Sequence, residues 1–162
     1  MKSLTALVFL MLSASLPARA GEINIAVASN FLSTAEALVE AFESRTDFDV
    51  VFSHGSTGQI FAQVNSGAPF DIFLSADAVR PDRLREAGLA MDTRTYALGR
   101  LVLISREPVR PDTLSEQVAG KAVALADPIV APYGLAATSA MERLKLDTAT
   151  FQPILVANVG QA

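Results

Sequence analysis

The sequence predicts an α/β fold in which parallel strands alternate with covering helices. Three observations point to it. Short apolar runs occur at residues 23–28, 49–53 and 71–75, and the stretches between them carry apolar residues at helical spacing. The resulting β-α-β-α-β order is that of a parallel sheet covered by helices.

The elements follow in order. Residues 1–20 read as an export signal: Lys2 supplies the positive start, residues 4–12 are apolar, and Ala18-Arg19-Ala20 is a cleavage site with the cut after Ala20. The apolar run falls short of the roughly 20 residues a membrane span needs. No Cys follows the cut, so a lipid anchor on a mature N-terminal Cys is excluded and a periplasmic protein is expected. Residues 23–28 form a buried strand. Phe31, Ala35, Leu38, Val39 and Phe42 then predict a helix over 31–45. A second strand is expected over 49–53. A helix over 57–66 places Ile60, Phe61 and Val64 on one face, and Gly67-Ala68-Pro69 breaks it. A third strand spans 71–75, followed by a helix over 81–87 closed by Gly88.

The apolar run at 96–105 is read as a crossing between two lobes, with a hinge near 96–100. This divides the chain into lobe 1 (21–97) and lobe 2 (98–162). Pro108, Pro111 and Thr113 mark the turn into a short helix. A strand is expected over 121–126, a two-proline loop over 127–132, and a helix over 134–144 with Leu135, Met141 and Leu144 facing inward. One more strand begins at Pro153. The second α/β unit has too few strands to close a sheet, so the chain reads as a truncated piece with lobe 2 and its return incomplete.

Charge and composition exclude several classes. Removing residues 1–20 deletes Lys2 and Arg19, leaving eleven basic residues against seventeen acidic ones, a net charge of −6. That balance argues against nucleic acid, whose binding rests on Lys and Arg. It also argues against steering an anion by net charge, so any anion site must work through local dipoles. With no Cys and one His, neither disulfides nor a structural zinc site is expected.

Four turns follow strands and carry small or hydroxyl residues: Ala28-Ser29-Asn30-Phe31, His54-Gly55-Ser56-Thr57-Gly58, Ala131-Pro132-Tyr133-Gly134 and Asn158-Val159-Gly160. Ligands of open parallel sheets bind beyond the carboxyl ends of the strands. Helix N-termini there offer unpaired N–H groups and a partial positive charge. None of the four turns contains Lys or Arg. An anion held there meets neutral donors alone, which favours a fully deprotonated oxyanion and disfavours one that must donate a proton of its own. Each turn taken singly also reads as an ordinary helix cap. Asp71 and Asp77 read as a strand start and a helix cap. Arg80, Asp82, Arg83, Arg85 and Glu86 read as a solvated face.

At these same residues the sequence resembles the periplasmic molybdate-binding proteins of ABC transporters. The stretch Gly67-Ala68-Pro69-Phe70-Asp71-Ile72-Phe73-Leu74-Ser75-Ala76-Asp77 is similar to the family's G-A-P-x-D-[LIV]-F-[LIV]-S-A-D signature. The Ala-Ser-Asn-Phe, Gly-Ser-Thr-Gly and Asp127-Pro128-x-x-Ala131-Pro132-x-Gly134 stretches fall in matching order. The resemblance implies a type II periplasmic-binding fold, two α/β lobes with an oxyanion in the cleft. It implies Ser29, Asn30, Ser56 and Thr57 as ligand residues, with backbone donors at Tyr133 and Val159. Thr57 stands where many members have Ser. The implied protein is a monomer without a cofactor or direct cation ligands. It binds molybdate and tungstate, delivers them to an inner-membrane permease, and catalyses nothing.

The sequence leaves other readings open. A sulfate, thiosulfate or ferric-complex binder shares the transport class, although a ferric site wants more Tyr ligands than Tyr96 and Tyr133. A ligand-sensing regulator domain has a related fold, but the export signal and the lack of a basic helix-turn-helix in this sequence weigh against it. An exported hydrolase would need His54 in a triad, and Ser56 is not in a G-x-S-x-G elbow.

Overall fold

The computed structural model describes residues 21–162; the export signal read at 1–20 lies outside the described residues. Two parallel sheets are present. The first has the order β2-β1-β3, from β1 (Gly21–Ala28), β2 (Phe48–Gly55) and β3 (Ile72–Leu74). The second pairs β4 (Ala122–Ala126) with β5 (Gln152–Val156). This is the α/β architecture of parallel sheets that the apolar runs predict.

Strand β1 lies in the middle of its sheet, and its end is the core. Ile25, Ala26, Val27 and Ala28 are all buried. Helix α1 (Leu32–Glu43) follows a short 3-10 turn at Ser29–Phe31, and α2 (Thr57–Asn65) buries Ile60 beside the sheet. Burying a side chain of that size contributes about 1.5–3 kcal/mol. Helix α3 (Val79–Glu86) inserts Leu84 and ends in a left-handed Gly88, φ +73°, whose successor Leu89 donates its N–H back to the Leu84 carbonyl.

The expected solvated face of α3 needs correction. Arg83, Arg85 and Glu86 are exposed, but Arg80 and Asp82 are only partly so. Arg80 pairs with Asp77, and the Asp82 carboxylate accepts the Thr93 hydroxyl at 2.9 Å.

Residues 89–110 form neither helix nor strand. Leu98 and Ile104 stand about nine-tenths exposed, so this apolar run is anchored by few contacts. Tyr96 supplies one: its hydroxyl donates to the Ser75 carbonyl at 2.8 Å, and its ring meets Phe31 edge-on at 4.9 Å. A short helix α4 (Leu114–Val118) precedes β4, and α5 (Pro132–Arg143) links β4 to β5.

The inward face expected of α5 is also corrected. Leu135 and Leu144 are more than half exposed, while Gly134 is buried. A sheet of two strands is too narrow to cover the whole apolar stripe of a 12-residue helix.

Candidate functional site

The strand register brings the turns together. β1 and β2 are parallel with Ala28 opposite Gly55, so Ser29 and Ser56 leave the sheet side by side. β3 flanks β1 on the other edge with Val27 opposite Leu74, which places Ser75 and Ala76 at the same end. In the second sheet Ala126 lies opposite Val156, so the turns after β4 and β5 also share one end.

The first turn is tied to the second. The Ser29 hydroxyl donates to the Gly55 carbonyl at 3.0 Å. A carbonyl can only accept, so this hydroxyl proton is committed. Ser29 therefore offers its side-chain proton to a ligand only by releasing Gly55. The uncommitted donors at this turn are the exposed Asn30 amide and the backbone N–H groups that open the 3-10 turn.

The second turn opens α2. Ser56 caps it with a reciprocal capping box: its hydroxyl oxygen accepts the Gln59 N–H at 3.3 Å, and the Gln59 side chain accepts the Ser56 N–H at 3.2 Å. Gly58 N–H donates to the Val130 carbonyl at 2.8 Å. Three of the orphan amides at this end are thus spoken for, and the N–H of Thr57, the first helical residue, has no acceptor within the helix. The Thr57 oxygen accepts the Ala76 N–H at 3.1 Å, which leaves its own proton to donate. Ser56 and Thr57 are both buried.

The third turn opens α5. Asp127 shapes it: its carboxylate accepts the Ile129 N–H and its carbonyl the Ala131 N–H, both at 2.8 Å. Pro132 takes the first helical position, where a missing N–H costs nothing. The N–H of Tyr133, one residue on, again has no intrahelical acceptor. Gly134 lets the helix close on the strand: a Cβ there would sit 2.2 Å from the Ala126 carbonyl oxygen. The fourth turn starts the 3-10 helix Val159–Gln161. It approaches the first turn, since a Cβ on Gly160 would lie 3.3 Å from that of Ser29.

All six residues singled out from the sequence (Ser29, Asn30, Ser56, Thr57, Tyr133 and Val159) line one cavity, together with Ala76 and Asn158. Among the described residues, no carboxylate, imidazole, ammonium or guanidinium lines it. The hollow leaves the centre of a water molecule about 10 Å3 in which to move. That is about the room one ordered water needs, so a tetrahedral oxyanion, with four oxygens around a central atom, enters only as the surrounding turns move apart.

Ala76 was missed as a site residue, although it lies in the Ser75-Ala76-Asp77 stretch. Its part depends on Thr57, nineteen positions away, and nothing local signals that. Asp77 caps as expected, accepting the Arg80 N–H at 3.0 Å, and the Asp71 carboxylate accepts the Asn24 N–H at 2.8 Å. His54 is exposed on β2 and does not line the cavity.

Comparison with known proteins gives one family throughout. Residues 23–162 match the family model described as bacterial extracellular solute-binding protein. The molybdate-binding protein ModA of Rhodobacter capsulatus is 42% identical over 151 residues, which cover 91% of this chain and 60% of that protein. ModA of Azotobacter vinelandii is 38% identical, covering 90% of this chain and 60% of its own length. The solved structure of the Azotobacter vinelandii periplasmic molybdate-binding protein superposes with a TM-score of 0.80 at 36% identity, over 86% of this chain and 64% of that one. The chain thus spans about 60% of the length of the curated relatives it matches.

Proposed function

The chain belongs to the bacterial extracellular solute-binding protein family, and from that premise we propose that it binds molybdate in the periplasm for delivery to an ABC import permease. Tungstate, of the same shape and charge, is the expected second ligand. The observation that carries this reading is the cavity: four strand-to-helix junctions meet at one small hollow, and among the described residues no charged side chain lines it.

The chemistry follows from the donors. Backbone N–H groups and hydroxyls keep their protons at neutral pH, so they suit an anion that presents only acceptors. A partly protonated anion would set its own O–H against one of them and leave a buried donor unpaired. The starts of α2 and α5 add their dipoles without a counter-ion. Discrimination between molybdate and sulfate, both dianions, then falls to the size of the ion.

The lobes open and close about residues 96–100, and ligand favours the closed form by touching both. Binding and release, with no bond made or broken, is the whole of the activity.

Calorimetric titration with molybdate, tungstate, sulfate and phosphate tests the proposal. Molybdate and tungstate are expected to bind at one site per chain, and more tightly than the other two. Sulfate binding as tightly as molybdate would overturn the specificity. Absence of binding by all four would overturn the class.

A further inference from the structure

We infer that Gly58 and Arg80 form a clasp that holds the two lobes together beside the cavity and sets how long a captured oxyanion is retained. The inference rests on the binding role proposed above, but the clasp itself consists of contacts within the protein.

Both residues belong to the first lobe, and both reach consecutive carbonyls of the same loop in the second. The Gly58 N–H donates to the Val130 carbonyl at 2.8 Å, and the Arg80 guanidinium donates to the Ile129 carbonyl at 3.3 Å. The approach at Gly58 is close. A Cβ there would lie 2.8 Å from the Val130 oxygen and 3.0 Å from its Cα. Those are backbone atoms, so no rotamer change relieves the clash.

The Arg80 arm is held in place. Asp77 pairs with its guanidinium through one oxygen and accepts its N–H through the other. The receiving loop is equally fixed, by the two Asp127 hydrogen bonds to Ile129 and Ala131. Val130 stands three residues before Tyr133, so holding this loop also fixes where the start of α5 meets the cavity.

Neither Gly58 nor Arg80 lines the cavity. They are positioning residues: they touch no ligand, and they act through the loop that carries Tyr133. For an enclosed ion to leave, the lobes must part, and parting them breaks both hydrogen bonds. Retention should therefore respond to the clasp even though no donor to the ion is altered.

The test uses the full chain and two variants, Gly58→Ala and Arg80→Gln. Alanine is the better helix former, so Gly58→Ala should leave α2 folded while its methyl group pushes Val130 away. The chain has no Cys, so Glu36→Cys on α1 and Glu142→Cys on α5, both exposed, admit a pair of spin labels. Without ligand, Gly58→Ala is expected to lengthen and broaden the label distance while the melting temperature is kept. The molybdate dissociation rate is expected to rise about tenfold for Gly58→Ala and severalfold for Arg80→Gln, with Arg80→Lys restoring part of the loss. Unchanged label distances and unchanged dissociation rates in both variants would overturn the clasp. If the unaltered chain binds no oxyanion, the proposed function fails, and the ligand-free distances still decide the clasp.

Discussion

The side chain of Thr57 accepts the backbone N–H of Ala76 at 3.1 Å, joining the start of α2 to the end of β3 across nineteen residues. Thr57 is almost wholly buried. One hydroxyl thus holds two strand ends together with its oxygen and keeps its proton for the cavity. Thr57→Val fills nearly the same space but leaves the Ala76 N–H without a partner. It should cost about 1–3 kcal/mol of stability, read as a lower urea midpoint, and should weaken oxyanion binding as well. Thr57→Ser should retain most of both. Equal stability for Val and Ser would show that the hydrogen bond contributes nothing.

Asn30→Asp tests the sign of the site. The substitution keeps the shape and puts a carboxylate where a dianion is expected. Affinity for molybdate should fall by several kcal/mol, on the order of a desolvated like-charge contact. An unchanged dissociation constant would place Asn30 away from the ligand.

Gly134→Ala tests how α5 is seated. Its methyl group would meet the Ala126 carbonyl oxygen at 2.2 Å and the backbone at Asp127 and Pro128 at 2.7 Å. All are backbone atoms, so the helix or the strand end must shift. A loss of about 1–3 kcal/mol or more is expected, together with weaker binding, because Tyr133 moves with the helix. A melting temperature at or above that of the unaltered chain would contradict this packing.

A pH effect is expected at Tyr96. Partial desolvation of the residue, which stays 43% exposed, and secondarily the neighbouring Tyr133 raise its phenol above the usual value of 10.0. The neutral phenol donates to the Ser75 carbonyl. A group whose folded value is raised contributes stability below its unfolded value and loses it as pH rises through the folded one. Alkaline titration of stability should therefore show a loss beginning above about pH 10. Tyr96→Phe should flatten that part of the curve. A loss of the same size in Tyr96→Phe would assign it to another group.

Much of the site was legible because it is built from local signals. Apolar runs end in Gly, Ser, Thr or Asn, and a parallel sheet puts all such ends on one side. The four turns follow from that geometry, the choice of Ser29, Asn30, Ser56, Thr57, Tyr133 and Val159 within them from family likeness, and the fold places all six around one hollow. What stayed hidden depends on contacts between distant residues. The commitment of the Ser29 hydroxyl follows from the pairing of Ala28 with Gly55, which only the register decides. The sequence pattern places the start of α5 two residues late, at Gly134, because proline marks loops as often as it takes the first helical position it holds here. Leu135 and Leu144 fit a helical period, but the period does not say how wide the facing sheet is. In the sequence Arg80 is one of a run of charges, and only the fold brings the loop carrying Ile129 within its reach.

The central claim is that neutral donors from four separate junctions act on one ion. Amide proton and nitrogen chemical shifts, followed while molybdate is added, test it most directly. The backbone amides of Asn30, Thr57, Tyr133 and Val159 should move together and saturate at the same concentration, while His54 stays still. Shifts confined to a single junction, or four junctions saturating at different concentrations, would contradict it.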